Sequence, residues 1–121
     1  MKTIIAGSRS IRDSGFLNLA LNDCPWTKDI TEVVCGGAKG ADMLGYEWAM
    51  KNSIPVKFFD PDWERYGKRA GIIRNREMGD YADALIALWD GASNGTTHMI
   101  GYMKHLGKPY IIRQFNHEPR P

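Results

Sequence analysis

Ala84-Leu85-Ile86-Ala87-Leu88-Trp89-Asp90-Gly91-Ala92-Ser93-Asn94-Gly95-Thr96 is the stretch that decides the fold class. Its apolar run over 84–89 does not alternate with polar residues, which suits a strand covered on both faces. A turn rich in Gly, Asn and Ser follows. A helical pattern then occupies 96–106, with Ile100 and Met103 inward. A doubly covered strand that leads through a glycine turn into a helix is the repeating unit of a parallel α/β sheet.

Working outward, the same pattern recurs. Apolar runs at 3–6, 31–35, 54–58 and 109–113 read as four more buried strands. Helical segments separate them. Residues 14–21 place Phe16, Leu17, Ala20 and Leu21 on one face, and 41–52 place Ala41, Leu44, Gly45 and Trp48 on another. Residues 69–82 form a polar-rich helix with Gly71, Met78 and Ala82 on one stripe. Right-handed crossovers then predict a Rossmann-like three-layer sandwich, a mostly parallel five-stranded sheet of order 3-2-1-4-5. One domain over 1–115 and a frayed tail over 116–121 account for the chain. Ligands of such sheets bind beyond the carboxyl ends of the strands, at the order reversal, here between the first and fourth strands.

Composition sets outer limits. With 121 residues, 43% of them hydrophobic and 25% charged, the chain is one ordinary globular domain. That is too short for a TIM barrel or a full two-half dinucleotide fold. No apolar run approaches the roughly 20 residues of a membrane helix. The N-terminal apolar stretch is too short for a signal peptide. A net charge of +2 argues against non-specific duplex binding through a polybasic face. Cys24 and Cys35 make no metal-ligand spacing, and Cys35 reads as a small core residue. Two isolated thiols fit a reducing cytoplasm.

The chemistry concentrates after the strands. The first runs into Gly7-Ser8-Arg9. The second runs into Gly36-Gly37-Ala38-Lys39-Gly40-Ala41-Asp42, and the fourth into Asp90-Gly91-Ala92-Ser93-Asn94-Gly95-Thr96. Two glycine turns that open helices, flanked by Arg9 and Lys39, suit a phosphate or carboxylate. Neither is a Walker A loop nor a dinucleotide fingerprint. Gly91-Ala92-Ser93-Asn94-Gly95 has the form of a nucleophile elbow, but no Asp precedes a His downstream in the required order. Ser93 therefore reads as a hydroxyl donor or a turn residue. Arg69, Arg74 and Arg76 cluster near a helix start, where positive charge opposes the dipole, and so point to anion recognition. Asn75 beside them either serves that site or fastens a neighbouring loop. Trp63 and Trp89 are candidates for stacking on a base. Seven basic residues, Arg9, Arg12, Lys39, Lys68, Arg69, Arg74 and Arg76, follow the first three strands and predict a cationic rim.

These motifs are ordered and spaced as in a known family. Gly7-Ser8-Arg9, Cys35 through Asp42, Asp62-Trp63 with Tyr66-Gly67-Lys68, Ala70-Gly71 with Arg74-Asn75 and Met78, and Trp89-Asp90-Gly91 with Ser93 and Gly95-Thr96 resemble the YspA-like branch of the SLOG superfamily. That branch is related to YpsA, to the LOG or "lysine decarboxylase-like" proteins and to DprA. The resemblance implies a Rossmann-like nucleotide-binding domain. In LOG enzymes an Arg-Lys-x-x-Met helix and a Pro-Gly-Gly-x-Gly-Thr-x-x-Glu loop form the site, with Arg and Glu catalytic. Arg74 and Met78 match the first motif, and Gly95 and Thr96 the second. The family's Glu falls on Met99, which can neither stabilise a cation-like sugar nor activate water.

The leading expectation is thus a cytoplasmic module that binds or senses a nucleotide or nucleotide-derived small molecule, needing no other cofactor and no metal. Its ligand site comprises Gly7, Ser8, Arg9, Gly36, Gly37, Ala38, Lys39, Gly40, Asp42, Arg74, Asn75, Asp90, Gly91, Ser93, Gly95 and Thr96. The alternative is a nucleotide N-glycosidase with Arg74 catalytic and Asp42 or Asp90 as the acid. A DprA-like single-stranded nucleic-acid binder is the second alternative. A homo-oligomer is compatible with the chain's aromatic and Met content; a membrane partner is not expected.

Overall fold

Alternating burial along the strands sets the two sides of the sheet. Ile5, Val33, Ile86 and Leu88 face one core, and Ile4, Val34, Leu85 and Ala87 face the other, as the two-residue period of a strand requires. The computed structural model describes residues 1–36 and 40–115. Its strands are β1 (Lys2–Gly7), β2 (Glu32–Cys35), β3 (Val56–Phe58), β4 (Ala84–Trp89) and β5 (Tyr110–Gln114). Its helices are α1 (Ser14–Asp23), α2 (Ala41–Lys51), α3 (Trp63–Tyr66), α4 (Ala70–Tyr81) and α5 (Asn94–His105). The sheet order is β3-β2-β1-β4-β5, and each of its neighbouring pairs is parallel. The architecture is the Rossmann-like sandwich the sequence predicts.

Leu17 and Ala20 of α1 and Ala41, Leu44 and Ala49 of α2 fill the first core. Met78 of α4 and Met99 and Met103 of α5 fill the second. Each of these buried Leu and Met side chains contributes about 2 kcal/mol by leaving water. Cys35 belongs to the first core, and burial, with Asp42 nearby, pushes its thiol up to about 12. Both cysteines are free and buried. Among the described residues no helix is long and apolar enough to cross a membrane.

Boundaries differ from expectation in instructive places. β3 begins at Val56 rather than at 54, because Pro55 has no N–H for a ladder. α5 begins at Asn94 rather than at 96, because Ser93 caps it. The short helix α3 is not apparent in the sequence. Asp62 caps it, accepting from Arg65 N at 3.1 Å, but one turn is too short to show a hydrophobic period. The expected tail over 116–121 lies outside the described residues.

Candidate functional site

Three strand ends and three helices enclose a cleft of about 510 Å³ at the reversal between β1 and β4. Gly7 at the end of β1, with Arg9 and Ser10 after it, and Gly36 after β2, with Asp42 from α2, line it. Arg74, Asn75 and Met78 reach in from α4. Asp90, Ser93, Gly95, Thr96 and Met99 complete the wall from the β4–α5 turn and α5. Most of the expected ligand residues therefore meet in one place. Gly37, Ala38 and Lys39 lie outside the described residues.

Ser8 ties the floor together. It is 1% exposed; its N–H donates to Leu88 O at 2.9 Å, and its hydroxyl accepts from Asp90 N at 3.0 Å. Its carbonyl accepts from Ala41 N at 3.4 Å, which draws the start of α2 against the end of β1. Gly40 makes that approach feasible. Its φ is +83°, and a Cβ there would lie 2.5 Å from Arg9 O. Ser8 and Gly40 thus shape the site from beneath.

The turn after β4 is organised by Asp90. Its carboxylate accepts from the N–H groups of Ala92 and Ser93, each at 2.9 Å, and these bonds hold its carboxyl below the usual range. Ser93 then acts as the N-cap of α5. Its Oγ accepts from Thr96 N at 3.5 Å and Thr96 Oγ1 at 3.2 Å. Among the described residues these bonds join the Ser93 hydroxyl to Thr96, the arrangement of a helix cap and not of a nucleophile held by a base. The first-turn N–H groups of Asn94 and Gly95 precede the first intrahelical bond, from Thr97 N to Ser93 O. Nothing lies within 4 Å of a Cβ built on Gly95, so there is room beside this first turn, with the Asp90 carboxylate on the N–H groups of Ala92 and Ser93 just before it.

Across the cleft, Arg74 Nη1 donates to Gly36 O at 2.7 Å and to Phe59 O at 3.4 Å. Its Nε donates to Asn75 Oδ1 at 3.1 Å. Asn75, 9% exposed, donates from Nδ2 to Gly95 O at 3.3 Å. Asn75 therefore fastens a neighbouring loop while also lining the cleft. The carboxylate of Asp42, 6% exposed, stands close to the Arg74 guanidinium: both come within 3.1 Å of a Cβ built on Gly36.

The other sequence candidates lie elsewhere. Trp63 is 58% exposed on α3, with its ring edge facing Gly71. Trp89 is half-buried and donates from Nε1 to Ser93 O at 3.3 Å. Among the described residues neither lines the cleft. His98 faces Asn75 Nδ2 at 3.5 Å and lines a separate surface groove with Arg76 and Tyr102. Burial, and then the charge of Arg76, lower its pKa. The expected cationic rim is accordingly divided. Arg9 and Arg74 line the cleft, Arg76 faces the outer groove, and Arg12 lines a third hollow beside Gly40. Ser10 was not among the expected ligand residues, nor were Met78 and Met99, which form an apolar wall of the cleft. Ser10 directly follows Arg9, Met78 is the matched Met of the LOG helix motif, and Met99 occupies the place of that family's Glu, which is the signal they carried.

A parallel sheet in this order, with Gly7, Gly36 and Gly95 lining a cleft at its reversal point, defines a Rossmann-like α/β domain with a rim cleft. The chain belongs to the YspA, cpYpsA-related SLOG family, whose model matches residues 1–66. It is similar to the "Gene 61 protein" of Mycobacterium phage D29, with 39% identity over 85 residues, covering 65% of this chain and 68% of that protein. No solved structure matches the chain.

Proposed function

We propose that this chain is a cytoplasmic SLOG-type module that binds a nucleotide or nucleotide-derived small molecule in the rim cleft without cleaving it. One observation carries the proposal. Gly36 at the end of β2 and Gly95 and Thr96 at the start of α5 line a single cleft of nucleotide size, while Met99 stands where the LOG motif has its acid. The α5 first turn and Arg9 suit the phosphate. Met78 and Met99 offer an apolar wall to the rest of the ligand. Met99, 2% exposed, has no proton to give or take. Free buried thiols favour a reducing compartment. Isothermal titration with nucleoside mono-, di- and triphosphates, cyclic nucleotides and ADP-ribose derivatives tests the reading. A saturable isotherm for at least one is expected; no heat from any of them would overturn it.

A second reading draws on Asp42. Its carboxylate lines the same cleft as Arg74, which supports an N-glycosidase that takes its acid from α2 instead of α5. Chromatography of nucleoside monophosphates after incubation decides it. Free base that disappears in both Asp42→Asn and Arg74→Ala would establish hydrolysis; intact nucleotide after prolonged incubation supports binding alone.

A further inference from the structure

Arg74 and Asn75 are consecutive in α4, yet they hold opposite walls of the cleft. Successive helical residues diverge by about 100°, so one pair can reach two directions. Arg74 takes the end of β2 through Gly36 O and the segment after β3 through Phe59 O. Asn75 takes the start of α5 through Gly95 O. The bond from Arg74 Nε to Asn75 Oδ1 joins the two, so a continuous line of hydrogen bonds runs from Gly36 O to Gly95 O.

We infer that the Arg74–Asn75 pair is a brace that fixes the separation of Gly36, where the turn after β2 begins, from Gly95, at the turn into α5, and with it the length of ligand the cleft accepts. The inference rests on the cleft being the ligand site, as proposed above. Three of the five guanidinium N–H groups go to protein acceptors; on this inference Arg74 is a positioning residue and the anion is left to the α5 first turn and Arg9. Linked bonds of this kind polarise and orient one another, so loss of either side chain loosens both turns. A small anion seated on one turn is insensitive to their separation. A ligand that spans both turns is not.

Two probes separate these cases: inorganic phosphate, which reaches one turn, and adenosine 5′-monophosphate, which is long enough to reach both. In Arg74→Lys and Asn75→Ala, the affinity for the nucleotide is expected to fall about tenfold relative to that for phosphate. Parallel loss of both probes marks direct contact with the anion and overturns the brace, as does an unchanged ratio. A ligand-free measurement keeps the inference independent of the binding proposal. Backbone amide resonances should show cross-effects, with Arg74→Lys shifting Gly95 and Thr96, and Asn75→Ala shifting Gly36. Changes confined to each variant's own wall overturn the brace even if both probes bind. Cross-effects without any binding uphold the brace and refute only the ligand reading. Arg74→Lys retains charge and stem, so the comparison survives if the Ala variant fails to fold.

Discussion

Arg74 Nη1 donates to the Gly36 carbonyl at 2.7 Å, and a Cβ on Gly36 would stand 2.5 Å from that same nitrogen. The residue that accepts the guanidinium is thus one that must lack a side chain to do so. Gly36→Ala should expel Arg74 from its seat and destabilise the fold by about 1–2 kcal/mol, the scale of a charge-assisted hydrogen bond that is partly exposed. Arg74→Ala should cost a similar amount. In the double variant the clash has no partner, so the two effects should not add. Urea unfolding of the four chains measures this; additive losses would show that Gly36 acts independently of Arg74.

Ser93 invites a different test, because the same residue could be read as a nucleophile or as a cap. The structure makes it the cap of α5, with a long 3.5 Å bond to Thr96 N. Ser93→Ala should cost about 0.5–1 kcal/mol, the low end of the N-cap range. Ser93→Asp should recover most of that, because a carboxylate also caps and favours the helix dipole. Thermal unfolding distinguishes the cap from a side chain without structural role, for which neither substitution would move the midpoint.

The sheet order was legible because each apolar run is continuous and the first, second and fourth lead into glycine turns. The site was legible where a turn carried several unusual residues together, as Gly36, Asp42, Ser93 and Gly95 do. What the sequence hid is directional. Arg74 stands in a cluster of arginines that suggests an anion site, but only the fold shows its guanidinium turned to the carbonyls of Gly36 and Phe59. The arginine cluster likewise divides among separate hollows, because neighbours along a helix point apart. Trp89 ends a strand at the rim, yet its indole N–H turns to the Ser93 carbonyl within its own loop. Such choices depend on partners distant in sequence, which no local pattern encodes.

Two groups set the acid response in separate ranges. His98 has its pKa lowered from 6.5 by burial and by Arg76, so the unfolded chain takes up a proton that the folded chain resists. Stability should therefore decline as the pH falls below about 6.5, toward the lower folded value. Asp90 has its carboxyl lowered from 3.8 by the Ala92 and Ser93 N–H groups. Its contribution is complete above about 3.8 and disappears only as the pH falls further, through the folded value. His98→Gln should flatten the upper decline and leave the lower one in place. Urea midpoints between pH 8 and pH 3 provide the check; an upper decline that persists in His98→Gln would assign it to another group.

Met99 bears on both the stability of the domain and its chemistry. It is 2% exposed, packs in the second core and also lines the cleft. Restoring the acid of the LOG pattern, Met99→Glu, places a carboxylate where burial penalises the charged form. Its folded pKa should rise above the ordinary 4.3 or so, so the folded chain would hold a proton that the unfolded chain releases. The sign then follows: the variant should be closest to wild type at pH 4–5 and lose stability as the pH rises through the raised pKa, by about 2–3 kcal/mol at pH 8. Met99→Gln has a similar shape and no charge, and should show a smaller loss without that slope. Unfolding curves at pH 5 and pH 8 test the difference between the two. Equal slopes would mean that the Glu carboxylate escapes to water and that this part of the wall is softer than the packing of Met99 indicates. A slope unique to Glu would show why an acid at this position needs surroundings the present cleft does not supply.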